Sequence, residues 1–183
     1  FRLIQSWDVK EIEQPSENKL AIRWFESNFQ KVLLELEDHF SKFRISDALM
    51  TVYKLIWNDF CSWYLEWIKP NYEDPIDYKT HQQTISFLEQ LIKVLHPFMP
   101  FITEEIWHAL QKRASGNDLI IAQWPEVNKF DESVLTDASF LFEIITQIRN
   151  IRNKNQIAQK IKLTLSISSA AIHFEGIKTS LIK

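Results

Sequence analysis

Between positions 144 and 162 the chain carries Arg149, Arg152, Lys154, Lys160 and Lys162 and no acidic residue, although its formal net charge is −3. In the stretch IRNIRNKNQIAQK (148–160), Arg149, Arg152 and Asn153 stand three and four residues apart, which puts them on one helix face. Ile148 and Ile151 are then expected to face the core. Asn150 and Asn155 add amide side chains that can both donate and accept hydrogen bonds. Basic groups on one face suit phosphates, and amides set among them can read base edges or sugars. The same residues also describe a solvated basic helix end, favoured by the helix dipole.

No other group of residues offers chemistry. His39, His81, His96, His108 and His173 are scattered, and none pairs with a second His or with Cys61 at ligand spacing. Glu104 and His108 are four apart, which suits a hydrogen bond as well as a metal, and with no further ligand beside them no metal site is expected. Glu35, Glu37 and Asp38, and likewise Asp131 and Glu132, read as solvated surface, not as paired acid–base carboxylates. No serine has a plausible His and Asp context. Gly116 and Gly176 are the only glycines, so a Gly-rich phosphate loop is absent. Trp24, Trp57, Trp63, Trp67 and Trp107 lie on or beside apolar helical stripes and are expected in the core, not as base-stacking platforms. Trp7 and Trp124 fall in irregular regions.

The elements that must hold the basic segment are helical. An apolar fraction of 45% and an aromatic fraction of 13% are ample for a packed core. Pro15 and Ser16 open a helix from Glu17 to about Phe43, with Ile22, Phe25, Phe29, Val32, Leu36, Phe40 and Phe43 as its buried stripe. Ser46 is a candidate cap for a second helix to about Lys69, with Leu49, Tyr53, Ile56, Phe60, Trp63 and Trp67 on one stripe. Val52, Trp57, Cys61, Tyr64 and Ile68 form the neighbouring stripe. A third helix spans about 78–95 and runs into Pro97 and Pro100; a fourth spans about 100–113. The apolar corner between them, HPFMPFITEEIWHAL (96–110), predicts that the flanking helices close over it. LIIAQWP (119–125) reads as a short extended piece. The fifth helix, about 134–155, carries the basic segment. IKLTLSIS (161–168) alternates like a half-buried strand whose partners lie elsewhere.

The expectation is therefore an all-α bundle of about five helices over residues 1–160, with the start of a small α/β extension over 161–183. The lone Cys61 excludes an internal disulfide and agrees with a reducing compartment. No apolar run approaches a membrane span. The first residue is Phe1 and not Met, which reads as a chain beginning in mid-protein.

Three segments in this order, IWNDFCSWYLEWIKP (56–70), LHPFMPFITEEIWHAL (95–110) and IRNIRNKNQIAQK (148–160), resemble the anticodon-binding region of the valyl-tRNA synthetase family, class I aminoacyl-tRNA synthetases. The resemblance runs from Phe1 to about Ser168. The second segment is shared with the isoleucyl and leucyl relatives; the first and third point to the valyl branch. It implies a piece of a valine–tRNA ligase without a catalytic site of its own, since the His-Ile-Gly-His and Lys-Met-Ser-Lys-Ser signatures of the ATP site are absent. ATP and magnesium then belong to a catalytic domain elsewhere in the parent, as does editing. The implied partner is the anticodon stem-loop of valine tRNA, in the cytoplasm and with no membrane. Arg149, Arg152, Lys154 and Lys160 are the expected phosphate contacts, and Asn150 and Asn153 the expected base or ribose contacts.

Overall fold

In the computed structural model, which describes residues 1–71, 73–158 and 161, the chain begins with a single helical turn, α1 (Arg2–Gln5), and a two-residue strand, β1 (Val9–Lys10). Helix α2 (Ser16–Ser41) follows. Next comes one continuous helical rod: α3 (Ile45–Lys54), a π-helical stretch (Leu55–Tyr64) and α4 (Leu65–Ile68). Strand β2 (Ile76–Asp77), α5 (Tyr78–Leu95), α6 (Pro100–Leu110), a 3-10 turn (Leu119–Ile121) and α7 (Glu132–Lys154) complete it. The contacts divide the chain into two units, Phe1–Phe130 and Asp131–Lys183. The predicted strand at 161–168 falls, apart from Ile161, outside the described residues.

The core of the first unit is aromatic. Phe25, fully buried on α2, has ring centroids 5.3 Å from Phe60, 5.0 Å from Tyr64 and 4.9 Å from Phe87, which ties α2, the π stretch and α5 together. These separations are those of favourable tilted and edge-on pairs. Trp24 and Trp67, 6.0 Å apart, extend the cluster.

The π stretch resets which face of the second rod is buried. Ala48, Val52 and Leu55 are buried at steps of four and three, but the next fully covered residue is Phe60, five positions on, followed by Tyr64 and Ile68. A wider π turn absorbs that extra residue. The two stripes expected from a uniform helical repeat are corrected accordingly: Leu49, Tyr53 and Trp57 are 43%, 52% and 60% exposed. Trp57 is thus not a core residue; it stacks on Tyr53 at the surface, the planes 9° apart.

Three further expectations change. Ser16 and Ser46 are the first and second helical residues and not caps; the cap positions are Pro15 and Arg44, without side-chain bonds. At the start of α5 the cap is Asp77, buried, whose Oδ1 accepts from Thr80 N at 2.8 Å while Oδ2 accepts from Asn18 Nδ2 at 3.1 Å. This residue belongs to the parallel pair β1–β2, where Val9 faces Ile76 and Lys10 faces Asp77, a sheet too short for any periodicity to reveal.

The proline corner is not closed over. Thr103 and Trp107 are the buried residues of α6, and Phe101, two positions from Thr103 and so about 200° around the helix, is 90% exposed. Met99 and Ile102 are exposed too, while Phe98 stacks on Phe40. The corner is stitched by a polar contact instead. Thr103 Oγ1 donates back to the α6 entry carbonyls, Met99 O at 2.7 Å or Pro100 O at 3.1 Å, and so accepts from His96 Nδ1 at 2.8 Å. The LIIAQWP piece is not extended at its start: Leu119–Ile121 forms the 3-10 turn, with Leu119 buried and Ile120 and Ile121 exposed.

Candidate nucleic-acid interface

Helix α7 has a well-made start and finish. Asp131 caps it, its Oδ1 accepting from Ser133 N at 3.0 Å and from Val134 N at 3.4 Å. Val134, Leu135, Ala138 and Leu141 are buried at a helical repeat. Beyond Leu141 burial fades: Ile144, Ile145 and Ile148 are half-buried, and Ile151 is 54% exposed. The expectation that Ile151 faces the core is therefore corrected. It follows Leu141 by ten positions, about 280° around the helix, and so has left the buried stripe.

The C-terminus of α7 is a Schellman turn. Ile157 N donates to Arg152 O at 2.9 Å and Gln156 N to Asn153 O at 3.2 Å, with Gln156 in the left-handed region at φ 53°. Asn155 Nδ2 closes onto Ile151 O at 2.8 Å. Arg152 is half-buried and wraps this turn, its guanidinium donating to Ala158 O at 3.1 Å and Ile161 O at 2.9 Å. Sequence spacing groups Arg152 with Arg149 as equal surface cations; the turn gives it a separate task.

Arg149, Asn150, Asn153 and Lys154 are exposed on the last two turns of α7, and Lys160 lies outside the described residues. Arg152 and Lys154 also sit in the last turn, where the helix dipole favours positive charge. The result is an acid-free cationic helix end with amides between the charges. Its exposed donors and positive charges are of the kind that suit an anionic partner, with no nucleophile or acid–base pair among them.

Other residues that sequence reasoning weighed fall into place separately. Trp24, Trp67 and Trp107 are buried, Trp63, Trp7 and Trp124 are half-buried, and the Trp124 ring meets Phe40 edge-on at 5.8 Å. Glu35 bonds His39 at 3.3 Å and also accepts from Thr51 Oγ1 at 2.9 Å; Asp38 pairs with Lys42 and Arg44, which hold its carboxyl below the usual carboxylate range. No helix among the described residues is long and apolar enough to cross a membrane.

Comparison with known proteins gives this surface a context. The family described as the anticodon-binding domain of tRNA ligase matches residues 22–167. The valine–tRNA ligase of Christiangramia forsetii is 49% identical over 168 residues, 91% of this chain and 19% of the relative. The valine–tRNA ligase of Porphyromonas gingivalis is 48% identical over 90% of this chain, and that of Zymomonas mobilis 37% identical over 86%. The chain spans about a fifth of the length of these relatives. It belongs to the anticodon-binding domain family of tRNA ligases.

Proposed function

We propose that this chain holds the anticodon stem-loop of valine tRNA, and that α7 with the turn after it supplies the contacts. The observation that carries the reading is the exposed, acid-free end of α7, which lies inside the matched family region. Arg149, Lys154 and Lys160 contact phosphates, and Asn150 and Asn153 contact bases or riboses. Arg152 anchors the turn through two donors and adds its charge to the field that meets a phosphate. The names of the relatives favour valine tRNA over its isoleucine and leucine counterparts. In this reading the domain positions the tRNA while a separate domain of the same polypeptide, using ATP and magnesium, joins valine to the tRNA 3′ end in the cytoplasm.

The test is titration of labelled valine tRNA at a series of salt concentrations, beside a tRNA changed only in its anticodon. Tighter binding to the unchanged tRNA supports anticodon readout. Arg149→Gln with Lys154→Gln should flatten the dependence of log K on log salt by about one for each phosphate that is no longer neutralised. Affinity and slope both unchanged in the double variant would remove α7 from the interface.

A further inference from the structure

Glu104 and His108 stand one turn apart on α6, and the chain after α6 returns to place Asp118 against both. His108 Nε2 lies 3.2 Å from Glu104 Oε1 and 3.2 Å from Asp118 Oδ1. All three donor atoms fall within 4.8 Å of one another. A ring nitrogen carries at most one hydrogen, which can be aimed well at one of those oxygens but not at both. The approach to Asp118 Oδ1 is a hydrogen bond, and the two equal approaches to one nitrogen also match the spacing of ligands around a shared ion. Ligands about 2.0–2.1 Å from a tetrahedral centre are about 3.3 Å apart.

The surroundings fit the same reading. Glu104 Oε1 accepts from Leu119 N at 2.7 Å, a bond that orients the carboxylate and fastens the residue next to Asp118. The three groups line an open-mouthed cavity of about 490 Å³ whose wall includes His96 and Phe101.

We propose that Glu104, His108 and Asp118 form a site for one borderline divalent cation of the zinc class in the wall of this cavity. One imidazole and two carboxylates are an ordinary ligand set for such an ion. The cation would cross-link α6 to the 3-10 turn, adding to the bond from Trp107 Nε1 to Asn117 O at 3.0 Å. The proposal does not depend on the tRNA reading.

The experiment is titration of the metal-free chain with Co²⁺, followed by its visible absorption, then displacement by Zn²⁺. One equivalent should bind with the bands of a four-coordinate site. Asp118→Asn and His108→Ala should each weaken binding at least tenfold while keeping the far-ultraviolet circular dichroism and unfolding midpoint of the metal-free chain. His39→Ala should bind as the parent does. Failure of the parent to take up the ion at millimolar Co²⁺, or uptake unchanged in both ligand variants, would overturn the assignment.

Discussion

The guanidinium of Arg113 lies over the indole of Trp107, its Cζ 3.3 Å from the ring centroid, and pairs with Glu89 of α5. Its Nε also donates to Trp107 O at 3.1 Å, and Gln111 Nε2 reaches the same Glu89 carboxylate at 2.8 Å. One side chain thus joins the end of α6 to the middle of α5. With the Arg113 side chain 7% exposed and Glu89 23%, the pair is nearly dehydrated. Arg113→Ala should lower unfolding free energy by about 3 kcal/mol in urea titrations, because it strands most of a buried charge. Arg113→Lys should recover only part, since an ammonium cannot lie flat on the indole and reach both acceptors.

Asp59 gives a stability effect with a sign set by pH. It is largely covered, and burial raises its carboxyl above the usual range, opposed by a bond from Asn28 Nδ2 at 2.8 Å. A carboxyl raised on folding binds more protons in the native chain than in the unfolded one. Stability therefore falls as pH rises from the ordinary carboxylate value through the raised one, and the cost is fully present above it. Asp59→Asn keeps an oxygen to accept from Asn28 and removes the charge. It should stabilise the chain at pH 7 and make no difference near pH 3; a loss of stability at pH 7 equal to that at pH 3 would contradict this account.

The helices are legible in the sequence because apolar spacing is a local signal. Phe25, Phe29 and Leu36 sit where the repeat puts them. The features that escape it depend on events that spacing does not encode. The π stretch shifts the buried face by one residue and puts Trp57 outside. The β1–β2 pair has two residues on each side and no period to read. Asp118 joins Glu104 and His108 only through a change of direction after α6. In the basic segment the spacing shows the exposed cations, but not the capture of the Arg152 guanidinium by Ala158 and Ile161 carbonyls, which needs the Schellman turn to form first.

Both α2 and α7 end on a non-glycine residue in the left-handed region. Phe43, at φ 56° and 87% exposed, follows α2, where Arg44 N donates to His39 O at 2.8 Å. Gln156 holds the same place after α7. A Cβ at this conformation is unfavourable, and the exposed Phe43 ring gains little burial in return. Phe43→Gly and Gln156→Gly should each raise unfolding free energy by about 0.5–1 kcal/mol, after allowing for the greater freedom of glycine in the unfolded chain. Thermal and urea midpoints measure it. A drop on Phe43→Gly would mean that the ring is held by contacts stronger than its exposure implies.

The division of work along α7 can be separated by two kinds of variant. Lys154 carries a full charge on an exposed stem, so its contribution to RNA binding comes through counterion release and is blind to sequence. Asn150 has no charge, so any contribution comes through directed bonds that depend on what they meet. Lys154→Gln should weaken binding to valine tRNA and to the anticodon-altered tRNA by the same factor, with a shallower salt slope. Asn150→Ala should leave the slope unchanged and narrow the gap between the two tRNAs, by about 1–3 kcal/mol if the amide makes a two-point base contact. Arg152→Lys should act indirectly: one ammonium nitrogen on a flexible stem replaces the pre-organised fork whose two nitrogens each reach a carbonyl of the turn, so the midpoint of unfolding falls together with the affinity. If Arg152→Lys weakens tRNA binding without any loss of stability, its part is direct contact and the turn holds without it.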